Sequence, residues 1–128
     1  MSTSTDRFEH DGLIITVAKS ARSVSITWSG VSDSRNPATF LNPFIRRLVP
    51  EVRGLAVTID FTSLEYMNSA TVSPIIHFIK ALDADGTQVL VLFTENDWQR
   101  VHLRCLRSIA RTLTHVRVEG KLASSNGA

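Results

Sequence analysis

Between the apolar run LAVTIDF and the helical stripe that begins at Ile75, the sequence reads EYMNSATVSP over residues 65 to 74. Asn68, Ser69, Thr71 and Ser73 set three hydroxyls and one carboxamide close together, and Pro74 ends the group. Such side chains accept hydrogen bonds from the amides that open a helix and have no intrahelical partner. One cap is sufficient for a helix, so the surplus of hydroxyls points to a second use. A serine beside unpaired amides, at the positive end of the helix dipole, suits phosphorylation. The phosphoryl group adds about −1.5 to −2 charges and three acceptor oxygens at a point where negative charge is stabilised. Ser69 is the expected acceptor, with Thr71 and Ser73 as alternatives. Pro74 poses a question of register. It falls inside the helix and removes a hydrogen bond if Ser69 is the cap, but comes first if Ser73 is.

A second group of residues lies near the end of the chain. At about 100° per residue, Arg100, Arg104, Arg107 and Arg111 fall within one narrow sector of a helical stretch, opposite Trp98, Val101, Cys105, Leu106, Ile109 and Leu113. A charged outer face is the usual solvated side of a surface helix. No acidic residue interrupts this row after Asp97, however, so the arginines lack i,i+4 partners and are open to an acidic surface. Arginine also suits nucleic-acid phosphates. The formal net charge of +2 and the absence of aromatics within the row favour a protein partner over nucleic acid. Arg46, Arg47 and Arg53 would extend the row if the first helix lay beside the last.

Catalytic and metal chemistry find no support. His10, His77, His102 and His115 are scattered, and the single Cys105 offers neither a thiolate cluster nor an internal disulfide, so no metal is expected. The sequence has no phosphate-binding loop, dinucleotide fingerprint or nucleophile elbow. Asp60 and Glu65 would be the nearest thing to an acid/base pair, but one is expected to end a strand and the other to lie on a loop, with no nucleophile between them. The reading is therefore no enzyme and no cofactor. His77 and Cys105 read as packing residues, and Trp28 and Trp98 as core or sheet-edge residues.

The elements that must position these residues are those of one domain. The 128 residues, 43% hydrophobic, suit a single core. Residues 1–11 and 121–128 are polar and small, and are expected to be frayed ends of a domain spanning 12–120. No signal-peptide core and no apolar run near about 18 residues is present, which, with the lone cysteine, leads to the expectation of a soluble cytoplasmic protein with no membrane contact. GLIITVAK and SVSITWSGV read as a hairpin through KSAR. DSRNPATFLNPFIRRLV reads as a helix capped by Asn36, with Pro37 first, a kink or later start at Pro43, and a stop at Pro50. GLAVTIDF, residues 54 to 61, reads as a central strand covered on both faces. A helical stripe through Ile75, Phe78, Ile79 and Leu82 follows, then the strand TQVLVLFT, a last helix capped by Asn96 or Asp97, and a final strand in HVRVEG. The fold class is α/β, a mixed sheet of about four to five strands packed by about three to four helices.

The stretch LAVTIDFTSLEYMNSATVSPIIHFIKALDADGTQVLVLF resembles the STAS domain of bacterial anti-sigma-factor antagonists, in which a strand ending in an acidic residue leads to an Asp-Ser-Ser/Thr-Gly helix start. In that family the serine directly after the Asp is phosphorylated by a cognate kinase and dephosphorylated by a PP2C-type phosphatase. The matching serine is Ser69 and Asp60 matches the acidic strand end, whereas Asn68, Ala70 and Thr71 stand where the family has Asp, a second hydroxyl residue and Gly. RNPATFLNPFIRRL and LEYMNSAT are similar to the SiaC-like group of STAS-like regulators, whose helix start carries Asn followed by a phosphorylated Thr or Ser. Unphosphorylated members of that group engage a diguanylate cyclase and influence biofilm formation. The resemblance implies a STAS-like fold and a non-enzymatic partner-switching regulator. Ser69 would be the switch, Asn68 would orient its hydroxyl and Asp60 would help to fix the loop or the kinase-bound geometry. The serine/threonine kinase, the phosphatase and a diguanylate cyclase or anti-sigma factor would be its partners. The alternative is a binding module for a nucleotide or other anionic ligand at the same helix start.

Overall fold

The computed structural model describes residues 4–95 and 97–121, and the side chains of these apart from Asp97 and Trp98. In chain order the elements are β1 (Ser4–His10), β2 (Leu13–Lys19), β3 (Ser23–Ser32), α1 (Ala38–Glu51), β4 (Ala56–Met67), α2 (Ser69–Ala84), β5 (Val89–Thr94), α3 (Asp97–Ala110) and β6 (Val116–Lys121). The strands form a single sheet in the order β1-β2-β3-β4-β5-β6. The pairs β1–β2 and β2–β3 are antiparallel and the remaining pairs are parallel, each of the latter joined across a helix. The mixed α/β architecture expected from the sequence is present, with three helices but six strands rather than four or five.

The additional strand is β1, formed by residues expected to be frayed. Its polar composition hides the signal that makes it. Asp11 and Gly12 both adopt positive φ, 48° and 90°, and close a two-residue hairpin of the twist that β strands favour. Phe8 then packs on Phe44 of α1 at 4.8 Å between ring centroids, and His10 stacks on Phe40 at 4.0 Å. The expected hairpin through residues 19–22 is also present, closed by the Ser20 amide donating to the Ser23 carbonyl at 2.8 Å.

The alternation along the strands buries one face of the sheet. Leu13, Ile15, Val17, Val24, Ile26, Trp28, Val57, Ile59 and Phe61 are buried under the helices, while the intervening Thr16, Ala18, Ser25, Thr27 and Thr58 are half-buried or exposed. The central strand is thus covered on one face, not on both, and its threonines lie on the open side. The helices complete the core with Leu41, Phe44, Ile45 and Leu48 of α1, Ile75, Phe78, Ile79 and Leu82 of α2, and Leu103 and Leu106 of α3. Among the described residues no helix is long and apolar enough to cross a membrane.

Helix α1 departs from its sequence reading at both ends. Asn36 acts through its backbone carbonyl, which accepts from the Thr39 amide and hydroxyl, and Pro37 occupies the cap. Neither Pro43 nor Pro50 ends the helix. Pro50 lies in the last turn, where its missing amide removes a single bond, and burial of Leu48 and Val52 on either side holds that turn on the core.

Gly30 is the most constrained backbone position. It has a φ of +80°, and a Cβ there would fall 2.0 Å from the Gly12 carbonyl oxygen. Gly54 has a similar φ of +85° with open space around it. Gly54→Ala is therefore expected to cost about 1 kcal/mol from backbone strain alone, and Gly30→Ala well over about 2 kcal/mol because the hairpin must also move. Urea denaturation of the two variants checks the difference.

Candidate functional site

The site begins where β4 parts from β5 while it stays paired with β3. Its register against β3 shifts twice, between Thr27 and Ser29 and between Gly30 and Val31, so that β4 accommodates one extra residue at each point. These bulges change the buried positions from every second residue, Val57, Ile59 and Phe61, to every third, Leu64 and Met67. Asp60 sits at the first bulge. Its Oδ1 accepts from the Thr62 amide at 2.8 Å and the Thr62 hydroxyl at 2.6 Å. Asp60 therefore lies within β4 and shapes the bulge, whereas the sequence reading set it at the strand end. Glu65, expected on a loop, is exposed in the same strand.

Past Asp60, β4 no longer pairs with β5. Side chains from α3 take over that role. Gln99 is fully buried and donates from Nε2 to the carbonyls of Phe61 at 3.1 Å and Leu64 at 3.0 Å, while its Oε1 accepts from the Thr94 amide at 2.7 Å. One turn on, His102 hydrogen-bonds the Met67 backbone. Burial lowers the His102 pKa, and the bond to the Met67 backbone opposes that shift only in part. Gln99 and His102 were not singled out in the sequence. Their spacing matches the three-residue steps of Phe61, Leu64 and Met67, but nothing in the sequence reveals the bulges that create those steps.

Asn68 follows directly and caps α2. Its Oδ1 accepts from the Thr71 amide at 3.1 Å and the Thr71 hydroxyl at 2.8 Å, and its Nδ2 donates to the Ser34 carbonyl at 2.8 Å. The Asn68 amide donates to the Ser32 carbonyl at 2.9 Å, and the Thr71 hydroxyl meets that of Ser32 at 2.8 Å. Neither Ser69 nor Ser73 is the cap. Asn68 is committed to Thr71 and Ser34, so it fixes the helix start and leaves the Ser69 hydroxyl alone. Thr71 is fully buried, and in this arrangement a kinase has no path to it. Ser69, the first residue of α2, and Ser73 are both exposed. Pro74 is buried inside the helix, where its ring contributes to packing.

The arginine row is real but lies elsewhere. Arg100, Arg104, Arg107 and Arg111 are all exposed, and Arg111 lies just beyond the last helical residue. On the helix they fall about 140° to 180° around from His102, so they border β6 and not the start of α2. Arg107 Nε donates to the Val118 carbonyl of β6 at 3.4 Å. The side of α3 facing the core carries Gln99, Leu103 and Leu106. Cys105 and Val101, expected on the packed side, are exposed, Val101 to 66%. Arg46, Arg47 and Arg53 do not extend the row: α1 packs against α2, and Arg53 pairs with Asp85 at 3.1 Å. Of the two residues expected to cap α3, Asn96 lies outside the described residues and Asp97 is the first residue of the helix. The Trp98 side chain and residues 122–128 also lie outside them. Among the described residues no group of three metal-ligating side chains occurs.

Two outcomes follow from these contacts. Gln99→Leu keeps the volume but strands the Thr94 amide and two carbonyls, and is expected to destabilise the fold by about 3 kcal/mol in denaturant titration. Because His102 binds protons less readily folded than unfolded, acidification through its ordinary value of 6.5 favours the unfolded chain. Stability should therefore fall as pH drops below that point, in a step that His102→Gln lacks.

Neither a protein-family model nor a curated protein matches the chain. Among solved structures, the fold is similar to that of an anti-sigma factor antagonist from Mycobacterium paratuberculosis, with a TM-score of 0.56 and 18% identity over 90% of this chain and 85% of that one. The two chains share the fold.

Proposed function

We propose that this chain is a non-enzymatic partner-switching regulator, and that reversible phosphorylation of Ser69 decides which protein occupies the surface around the start of α2. The observation that carries the reading is the contrast among the hydroxyls of that helix start. Thr71 is buried in the network that holds the turn, while Ser69 is exposed as the first residue of a 16-residue helix whose first turn has no acidic residue. A phosphoryl group on Ser69 would sit by the positive end of the helix dipole, so the domain tolerates it without refolding. A partner surface fitted to the neutral hydroxyl would instead bury an unpaired dianion, a penalty of about 2–5 kcal/mol.

The fold shared with an anti-sigma factor antagonist supports this class of regulator. The partners it calls for are a serine/threonine kinase, a PP2C-type phosphatase and a target, either an anti-sigma factor or, on the SiaC-like resemblance of RNPATFLNPFIRRL and LEYMNSAT, a diguanylate cyclase. Ser73, one turn along and exposed, is the second acceptor to examine. The rival reading, an anionic-ligand module, is weakened because Asn68 already occupies the Thr71 amide.

Phosphosite mapping by mass spectrometry on protein from its native cells is expected to find phosphate on Ser69. In pull-downs, Ser69→Ala should retain the target and Ser69→Asp should release it, with affinities differing by about tenfold or more. Equal capture of the same target by both variants would overturn the proposal.

A further inference from the structure

The outer edge of the sheet carries a second surface that the Ser69 switch does not use. The backbone carbonyls of His115, the residue before β6, and of Lys121 at its end accept from the Val89 and Glu95 amides. Parallel pairing turns the backbone groups of alternate residues the same way, so those of Val116, Val118 and Gly120 face outward. Among the described residues no strand pairs with that edge. Helix α3 runs antiparallel alongside it: Leu103 lies against Gly120, Arg107 against Val118, and Arg111 beside Val116. Between the two elements is a shallow cleft of about 230 Å³, with Ala110, Val116 and Val118 as its apolar floor and Arg107 and Arg111 as its wall.

Charge separates this edge from the opposite one. Strand β1 balances its own charges, Arg7 pairing with Glu9 at 3.3 Å. On the helix side of β6 stand the four arginines of the α3 row, with the Glu95 carboxylate beside Gly120 at one end, while Arg117, paired with Glu119, and Lys121 project from the opposite face of the sheet. No carboxylate of the described residues pairs with any arginine of the α3 row. The row from Arg100 to Arg111 rises about 16 Å along the helix. The six residues of β6 span about 17 Å. One short extended segment would therefore meet both along its whole length.

We infer that the β6 edge, with the arginine row of α3, is a docking site for an extended acidic segment of a partner protein, which adds to the sheet as a strand. Its backbone pairs with the outward groups of Val116, Val118 and Gly120. Acidic side chains at alternate positions reach the arginines: their successive steps along the helix, about 4.5 to 6 Å, are shorter than the roughly 7 Å two-residue repeat of a strand by an amount that the long arginine side chains span. Arg107 exchanges the Val118 carbonyl for a carboxylate, a stronger partner for its guanidinium.

The test titrates the full chain against a fluorescent peptide of alternating glutamate and valine, as long as β6. Binding is expected, with amide protection gained at Val118 and Gly120 in nuclear magnetic resonance exchange. Arg107→Glu combined with Arg111→Glu should weaken binding by about tenfold or more. N-methylation of the peptide amides that would face β6 should weaken it as much on the unmodified protein, which keeps the test valid if the double variant misfolds. Ser69→Asp should leave the affinity unchanged, so failure here is distinct from failure of the switch. Equal binding of the N-methylated peptide, protection mapping outside β6, or equally tight binding of a single-stranded oligonucleotide at the same residues would each overturn the inference.

Discussion

Past Asp60, the carbonyls of Phe61, Leu64 and Met67 lie where β4 has lost β5 as a partner, and much of the molecule is organised around replacing that strand. A buried carbonyl left without a donor costs about 1–3 kcal/mol. Three in a row would be a large fraction of the stability of a domain this size. Gln99 and His102 supply the donors, and in doing so set both the height and the rotation of α3 against the sheet. Gln99 also accepts from the Thr94 amide, so the same carboxamide joins the middle of β4 to the end of β5. The positions of α3, of its arginines and of the turn into α2 all follow from this substitution of side chains for a strand.

The turn into α2 repeats the logic on a smaller scale. Asn68 ties the helix start to Ser34 through its amide nitrogen and to Thr71 through its oxygen, while Ser32 and Thr71 satisfy each other inside the core. The surplus of polar side chains that draws attention in the sequence thus divides into two kinds. Asn68 and Thr71 are structural, because the turn from β4 into α2, packed against the end of β3, must satisfy its own donors and acceptors. Ser69 and Ser73 project from the finished helix into solvent and take no part in holding the turn.

What the sequence revealed, and what it hid, follows from the range of the interactions concerned. The hairpin at residues 19–22, the amphipathic stripes of α1 and α2 and the buried strand β5 are local patterns, and each could be read from its own residues. Strand β1 was hidden because Phe8 is the one apolar anchor in a polar segment, and its partners Phe40 and Phe44 lie on α1. The Asp11-Gly12 turn was the available clue. The length of β4 was hidden because two bulges break the alternation that identifies strands, so SLEYM lost its period where the fold required an offset. The packed side of α3 was misjudged because Gln99, a polar residue, lies at its centre and Val101 and Cys105, apolar ones, point to solvent. A wheel drawn by hydrophobicity alone rotates that helix away from its true orientation.

The true rotation of α3 gives the helix two flanks with different neighbours. One flank of α3 reaches through His102 to Met67, a single residue before the cap of α2. The other flank presents the arginines to the β6 edge. Leu103 and Leu106 are buried between them, so the helix is a rigid partition whose two sides face different neighbours. A protein seated over Ser69, as proposed, and a segment seated along β6 would therefore not compete for the same side chains. Any influence of one on the other has to pass through a displacement of α3, and Gln99 resists that displacement because it cannot move without breaking its bonds to Phe61, Leu64 and Thr94 together. If both proposed surfaces are used, the arrangement favours their independent occupation, because one is anchored at the end of the interior strand β4 and the other along the edge strand β6 of one well-packed sheet.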